Sequence, residues 1–313
     1  MRNAYVSALS DLARTNKDIF VLVADNGALV YDEFRREFPE QFINCGISEA
    51  NMISVAAGLA SCGKIPFAYT ISSFLIMRAY EQIRNDVCLQ KMNVKLVGIG
   101  AGLVYSNLGP THQAVEDIAL TRTLPHMTIF SPADAREAKH VTHAAAHIAG
   151  PVYIRLATGG SPAIYSNDYD FKVGRAITLR DGSDITIIGS GGILTEIVKA
   201  ADILKDRGIS VRLINVHTVK PIDKEAILRA ADETRAILTV EEHSIYAGIG
   251  SAVAEVVIEN NTAPIAFKRL GLNDTFPVGY GTYDQMKEMN GISQGAIVKS
   301  AQILYDRKKS SHW

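Results

Sequence analysis

At 313 residues the chain is long enough for two ordinary domains, and its 47% hydrophobic and 21% charged residues exclude a disordered protein. Its formal net charge of −1 gives no long-range attraction to nucleic acid or to an anionic membrane. The cysteines are too few for a disulfide framework or a zinc site, and without a leader or a long apolar run we expect a protein of the reducing cytoplasm.

The first element with a chemical signal is an alanine-rich helix that begins at an acid. The apolar run that starts at residue 19 is broken by turn residues, so residues 19–27 predict a strand with its loop. Glu49 then opens a helix that Gly63 is placed to terminate. An acid in a first turn stabilises the positive end of the helix dipole, so Glu49 by itself indicates a capping acid.

A histidine follows a Gly-Pro turn further along the chain, in the run Gly109-Pro110-Thr111-His112-Gln113. This turn predicts that His112 stands at the start of another helix. Between Glu49 and His112 lies a helix predicted for residues 73–84, and Tyr80 belongs to its core-facing stripe at i, i+4, i+7 and i+11 spacing.

Strands alternate with helices through the rest of the first half. Buried strands are predicted at residues 94–99, 127–130 and 152–155. After the second of these, Ser131 is predicted to cap a helix with Pro132 at its first position. This alternation indicates a mostly parallel sheet with helices on both faces.

A break in the pattern separates two domains. The run Gly159-Gly160-Ser161-Pro162 and the polar residues 166–170 predict a linker, which gives domains at residues 1–165 and 175–313. The second half again alternates, with strands predicted at 184–189, 211–216 and 236–240. The fold class is therefore α/β, with two three-layer α/β/α domains. Because the full dinucleotide fingerprint is absent, residues 189–192 predict a tight turn in preference to a phosphate-binding loop.

The order of strand, acid-initiated helix, aromatic helix and Gly-Pro-Thr-His-Gln turn resembles the C-terminal half of the transketolase family over essentially the whole chain. The resemblance implies a thiamine-diphosphate pyrimidine-binding domain followed by a smaller transketolase C-terminal-type domain that mainly supports dimerisation. It implies thiamine diphosphate as the cofactor, with Glu49 as the acid hydrogen-bonded to the pyrimidine ring. Phe74 would stack on that ring, with Tyr80 as a weaker second, and His112 would face the reacting carbon and bind the substrate oxygen.

The family's Gly-Asp-Gly motif, which holds Mg²⁺ and the diphosphate, does not occur in the sequence. The related run Arg180-Asp181-Gly182 lies in the wrong domain. The resemblance therefore implies one subunit of a split transketolase, whose N-terminal, diphosphate-binding partner supplies the metal ligands. We expect a heterotetramer acting on small sugars.

The substrate-reading positions depart from the family pattern. Arg2 matches an arginine that contacts the sugar phosphate, but the other phosphate-reading positions fall at Ala28, Gly100 and Thr158, and the acid that contacts the α-hydroxyl falls at Leu108. Losing a bidentate arginine and a carboxylate is not conservative. We expect an unusual ketose that is branched, such as apulose phosphate, sulfonated, or unphosphorylated.

Two other functions stay open at this point. The β-subunit of a 2-oxoacid dehydrogenase has similar length, similar domains and a pyrimidine-binding acid, although the Gly-Pro-Thr-His-Gln turn and the aromatic helix favour transketolase. A non-catalytic partner derived from a transketolase is the other alternative, and the retention of Glu49 and His112 argues against it.

Overall fold

The computed structural model describes residues 1–157, 162–260 and 263–310. Helices and strands alternate in the first part of the chain, as predicted. The elements there are α1 (Arg2–Thr15), β1 (Ile19–Val23), α2 (Asp32–Glu37), β2 (Phe42–Asn44), α3 (Glu49–Ser61), β3 (Ile65–Ile71), α4 (Tyr80–Gln82), β4 (Lys95–Ile99), α5 (Asp117–Arg122), β5 (Thr128–Phe130), α6 (Ala135–His147) and β6 (Val152–Leu156).

The second part of the chain continues the alternation. Its elements are β7 (Ile177–Arg180), β8 (Ile185–Gly189), α7 (Leu194–Asp206), β9 (Val211–Asn215), β10 (Thr218–Lys220), α8 (Lys224–Thr234), β11 (Ala236–Ser244), α9 (Ile249–Asn260), β12 (Ala266–Leu272), α10 (Tyr283–Met289) and α11 (Gln294–Ser310). The glycine-rich residues after β8 form a short 3₁₀ turn at Gly191–Ile193, in line with the predicted tight turn.

The strands form two sheets. The first has the order β10-β5-β6-β4-β3-β1-β2, and all of its neighbours are parallel except β10, which runs antiparallel to β5. The second has the order β12-β11-β8-β9-β7, with β7 antiparallel to β9. Since β10 follows β9 in the chain, a strand from the second half completes the edge of the first sheet.

Each sheet lies between two layers of helices, because alternate strand residues point to opposite faces. On one face of the first sheet, Leu22, Ala68 and Leu96 pack with α3 and the helical segment that follows β3. On the other face, Phe67 and Val97 belong to the core that contains α1 and α6. The first of these cores continues without a break into β8, β9, α8 and α9, so the two halves share buried apolar surface.

The helix predicted for residues 73–84 is wound more widely than an α-helix. It consists of π-helical segments at Phe74–Arg78 and Ile83–Cys88 on either side of the single turn α4. The predicted stripe nevertheless faces the core, where Ile76 is fully buried and Tyr80 is partly buried. Wide turns of this kind are frequent at functional sites.

The predicted start of the helix after β5 is wrong. Helix α6 begins at Ala135, and its cap is Asp134, whose carboxylate accepts a hydrogen bond from the Glu137 amide at 2.9 Å. Ser131 cannot take that place because its own amide donates to the His217 carbonyl, which keeps it in the extended continuation of β5.

Most of the glycine-rich run that was predicted as the linker, residues 159–161 together with Thr158, lies outside the described residues. In the parts of the chain that the structure does describe, no helix combines the length and the apolar character that a membrane crossing requires.

Candidate active site

Glu49 is a buried acid at the start of α3, as the sequence predicts. Its side chain is 3% exposed, and its Oε2 atom has no hydrogen-bond partner within the described residues. It forms a long ion pair with Arg78, whose Nη1 lies 4.0 Å from Oε2 on a side chain that is 64% exposed. A buried carboxylate oxygen without a donor is costly, so this atom is placed to receive one from a bound molecule.

Phe74 and His112, which are 38 positions apart in the chain, are brought together. Their ring centroids lie 5.0 Å apart at an interplanar angle of 64°. The Ser73 hydroxyl donates to the Thr111 carbonyl at 3.3 Å. This bond connects the first turn after β3 to the turn at residues 108–113 that carries His112, called the histidine turn below. Since Arg78 ends the segment that Phe74 begins, the same segment reaches Glu49.

His112 does not stand at the start of a helix, contrary to the prediction. Helix α5 begins later, at Asp117. Two backbone hydrogen bonds between Gly102 and Ala114 close the chain between them into a loop, so the helix cannot begin before Ala114. The Nδ1 atom of His112 lies 3.0 Å from the Thr111 hydroxyl. Its Nε2 atom makes no hydrogen bond to any described residue and is free to bind a ligand oxygen.

Tyr80 is turned toward α5. Its hydroxyl lies 2.9 Å from the Thr123 hydroxyl and 3.2 Å from the Leu120 carbonyl, so it fastens α4 to the last turn of α5. The contact fits the core-facing stripe, and Phe74 is the ring of this helical segment that lies beside His112.

Arg2 opens α1, and Leu108 lies in the histidine turn. The Nε atom of Arg2 is buried without a partner in the described part of the chain. Burial raises the pKa of the Tyr69 and Tyr105 phenols, and the charge of Arg2 opposes that rise in both, so Arg2 lies near these two rings. Leu108 is 46% exposed, and its backbone amide donates to the Tyr105 carbonyl at 3.0 Å.

A buried ion pair lies next to the histidine turn and holds it in place. Asp117 is fully buried, and its Oδ2 accepts from Arg155 Nε at 2.7 Å and from the Tyr153 hydroxyl at 2.6 Å. The Nη2 atom of Arg155 donates to the carbonyls of Ala114 and Glu242, both at 3.0 Å. This network joins α5, β6 and β11, and therefore fixes the turn relative to both sheets.

The second half of the chain also reaches the turn. Gly109 has a φ of +78°, and a Cβ atom on it would lie 2.7 Å from Cε1 of Tyr280. Only glycine suits this position, because it accepts the positive φ and the close aromatic ring. Nothing in the sequence indicated Tyr280, since its contact with Gly109 depends on how the loops fold.

The described side chains of the site form no metal centre of their own. Among the described residues, no group of three or more His, Cys, Asp or Glu side chains is arranged to hold a metal ion. The chemistry that these side chains offer is hydrogen bonding at Glu49 and His112, and ring stacking at Phe74.

Comparisons with known proteins match both halves of the chain. Residues 1–160 match the family model of the transketolase pyrimidine-binding domain, and residues 174–297 match that of the transketolase C-terminal domain. The chain is 36% identical over 302 residues to one subunit of the apulose-4-phosphate transketolase of Phocaeicola vulgatus, and the match covers 96% of each chain. It is 38% identical over 309 residues to the 6-deoxy-6-sulfo-D-fructose transketolase subunit SqwH of a Clostridium species, covering 98% of this chain and 95% of that one.

A solved structure is similar over the same length. It is described as a split gene transketolase, inactive β4 tetramer, and it superposes with a TM-score of 0.89 at 42% identity. The match covers 97% of this chain and 98% of that chain.

Proposed function

This chain belongs to the transketolase family, and we propose that it is the pyrimidine-binding subunit of a two-subunit, thiamine-diphosphate-dependent transketolase. In this proposal it takes part in moving a two-carbon ketol unit from a ketose to an aldose phosphate. The observation that carries the proposal is the buried Oε2 of Glu49, which accepts no hydrogen bond from any described residue and lies beside the segment that presents Phe74 to His112.

The residues fit the pyrimidine end of the cofactor. Oε2 of Glu49 lacks a donor, and a ring nitrogen that carries or shares a proton would satisfy it. The Phe74 ring offers an aromatic face for stacking, and its neighbour His112 keeps it in place. When bound, thiamine diphosphate would supply a carbon nucleophile and an electron sink.

The side chains of this subunit would bind, orient and exchange protons. Glu49 would hold the cofactor ring through one hydrogen bond in a dry environment, where such a bond is stronger than in water. His112 would hydrogen-bond the substrate oxygen through Nε2, which is the ring nitrogen that Thr111 does not face. The ion pair of Asp117 and Arg155 would hold the histidine turn still while charge develops on that oxygen.

The other end of the cofactor requires a second polypeptide. The sequence has no Gly-Asp-Gly motif, and the described residues offer no metal cluster, so the diphosphate and Mg²⁺ would be held by an N-terminal-type subunit. The relatives named as subunits, and the split gene transketolase described as an inactive β4 tetramer, support this division. We propose two copies of each subunit, with each site between a pyrimidine and a diphosphate domain.

The ketose in this proposal carries a terminal anion and is branched or sulfonated. The exposed, apolar Leu108 lies four residues before His112, where a carboxylate would be needed to bind an α-hydroxyl. Arg2 remains as a cation for the far end of the sugar. Two relatives of nearly full coverage are named for apulose 4-phosphate and 6-deoxy-6-sulfo-D-fructose, which are ketoses of these two kinds.

The test is ketol transfer by the chain mixed with its diphosphate-binding partner, compared with each subunit alone. Glu49→Gln should abolish turnover in the mixture and leave partner binding intact, because it removes the acid without changing the volume. Glu225→Gln is the matched control, since Glu225 also lies in a helix first turn but has an 80% exposed side chain.

Measurable transfer by this chain alone would refute the two-subunit proposal. Activity of Glu49→Gln within a few-fold of the wild type would refute the assignment of the site. Binding of the partner without any transfer would instead indicate a non-catalytic role.

A further inference from the structure

Gly100 and Tyr105 form a contact that shapes the end of β4. Gly100 follows the last residue of that strand with a φ of +82°, and a Cβ atom on it would overlap Cε2 and Cδ2 of Tyr105. The Tyr105 ring therefore packs against the Gly100 backbone and occupies the space that any side chain at position 100 would need. In open parallel sheets, ligands bind beyond the carboxyl ends of the strands, and this ring lies at such an end.

Tyr105 extends the pair of rings already described. Its centroid lies 6.2 Å from that of His112 at an interplanar angle of 82°, and His112 in turn lies 5.0 Å from Phe74. Both contacts are edge-to-face, an arrangement that aromatic rings favour. Phe74, His112 and Tyr105 thus form one continuous wall that leads away from the candidate reaction centre.

Tyr105, at one end of this wall, and Arg2 each carry a donor that has no hydrogen-bond partner among the described residues. The Tyr105 hydroxyl makes no hydrogen bond within the described residues, although the ring is partly buried. Arg2 is also partly buried, and its Nε is inaccessible and unpartnered in the same described ranges. Asp11 and Glu33 line the groove next to Arg2, yet Arg2 forms no ion pair with any described carboxylate. Arg2 lies one helical turn before Tyr5, whose ring stacks on that of Tyr69 in β3 at 6.1 Å. Strand β3 pairs with β4, the strand that leads to Tyr105, so this geometry places both donors over the same two strands. The charge of Arg2 also opposes the rise that burial causes in the pKa of the Tyr105 phenol.

We propose that Tyr105 is a specificity-determining residue whose hydroxyl, together with the Arg2 guanidinium, binds the terminal oxyanion of the ketose substrate. A phosphate and a sulfonate both present oxygens that accept from a phenol and a guanidinium, and a hydrogen bond to a charged group is the stronger kind. The inference rests on the proposed function, because it places the reacting carbonyl at His112 and the oxyanion at the other end of the wall.

The experiment uses the chain reconstituted with its diphosphate-binding partner and compares wild type with Tyr105→Phe. Three donors are measured: a ketose phosphate, a ketose sulfonate and the same ketose without a terminal anion. Tyr105→Phe should lower kcat/KM for the anionic donors about tenfold or more, mainly through KM, because one hydrogen bond to a charged group is lost. The donor without an anion should be unaffected. Tyr246→Phe removes the hydroxyl of a half-exposed tyrosine elsewhere on the surface and serves as the control.

An equal loss for all three donors would overturn the inference, since it would show that Tyr105 only supports His112. Unchanged kcat/KM for both anionic donors would overturn it as well. A loss of kcat/KM confined to the phosphate donor or to the sulfonate donor would support the inference and identify which anion Tyr105 binds. Wild-type transfer from any of the three donors keeps the proposed function standing in each of these cases, whereas no transfer from any donor would overturn both proposals.

Discussion

Replacing Asp117 by asparagine tests how strongly the buried ion pair supports the histidine turn. Asp117 is 0% exposed and Arg155 is 4% exposed, so neither charge is compensated by water. Breaking a buried pair by removing one partner costs about 3–5 kcal/mol, because the remaining charge is left buried. An asparagine oxygen still accepts from Arg155 or Tyr153, so we expect Asp117→Asn to lower the free energy of unfolding by about 3 kcal/mol.

The measurement is urea unfolding of the purified chain, followed by circular dichroism and extrapolated to water. Asp32→Asn is the control, because Asp32 is an exposed acid whose 3.9 Å contact with Arg35 is worth well under 1 kcal/mol. Adding Arg155→Met to Asp117→Asn should restore part of the loss, since it removes the uncompensated charge. A loss below about 1 kcal/mol for Asp117→Asn would refute the reasoning.

The other predictions concern the site, the substrate and the domains. His112→Ala should lower kcat of the reconstituted enzyme by about 10²-fold or more, as expected for losing one hydrogen-bonding group, and a change below tenfold would contradict its role. Leu108→Asp should improve the use of xylulose 5-phosphate by about 1–3 kcal/mol relative to branched or sulfonated ketoses. A hundredfold wild-type preference for xylulose 5-phosphate, unaltered in Leu108→Asp, would show that Leu108 is neutral. We also propose the domain boundary between residues 158 and 175, so limited proteolysis should yield fragments of about 160 and 150 residues on a denaturing gel.

The parallel strands and the acid of the site could be predicted because their signals are local. The strand predicted at residues 94–99 is β4 within a residue, and the apolar run that starts at residue 19 is β1, since strands buried on both faces are mostly apolar. Glu49 was placed correctly because a helix start is determined by residues next to it in the chain.

The errors arose where distant residues decide the backbone. Ser131 was predicted as a cap, but a hydrogen bond to His217 keeps it extended. His112 was placed at a helix start, whereas the bridge between Gly102 and Ala114 delays that helix. The short strand β10 carries too few residues for a pattern, and it joins the first sheet only through its pairing with β5.

The Tyr105 and Tyr280 contacts were missed for a related reason. Each ring rests on a glycine with positive φ, Gly100 in one case and Gly109 in the other. A glycine in the sequence indicates a turn, but it does not indicate which ring fills the space left by its missing side chain.

The physical character of the site differs from that of the fold around it. Both sheets are covered by helices on each face, and one of the cores extends from the first half of the chain into the second. At the site, Glu49 Oε2 and Arg2 Nε are buried and have no hydrogen-bond partner among the described residues. Folding selects against such atoms unless a bound group offsets their desolvation cost. In the proposed two-subunit enzyme, cofactor and substrate would supply the hydrogen bonds that these two atoms lack among the described residues.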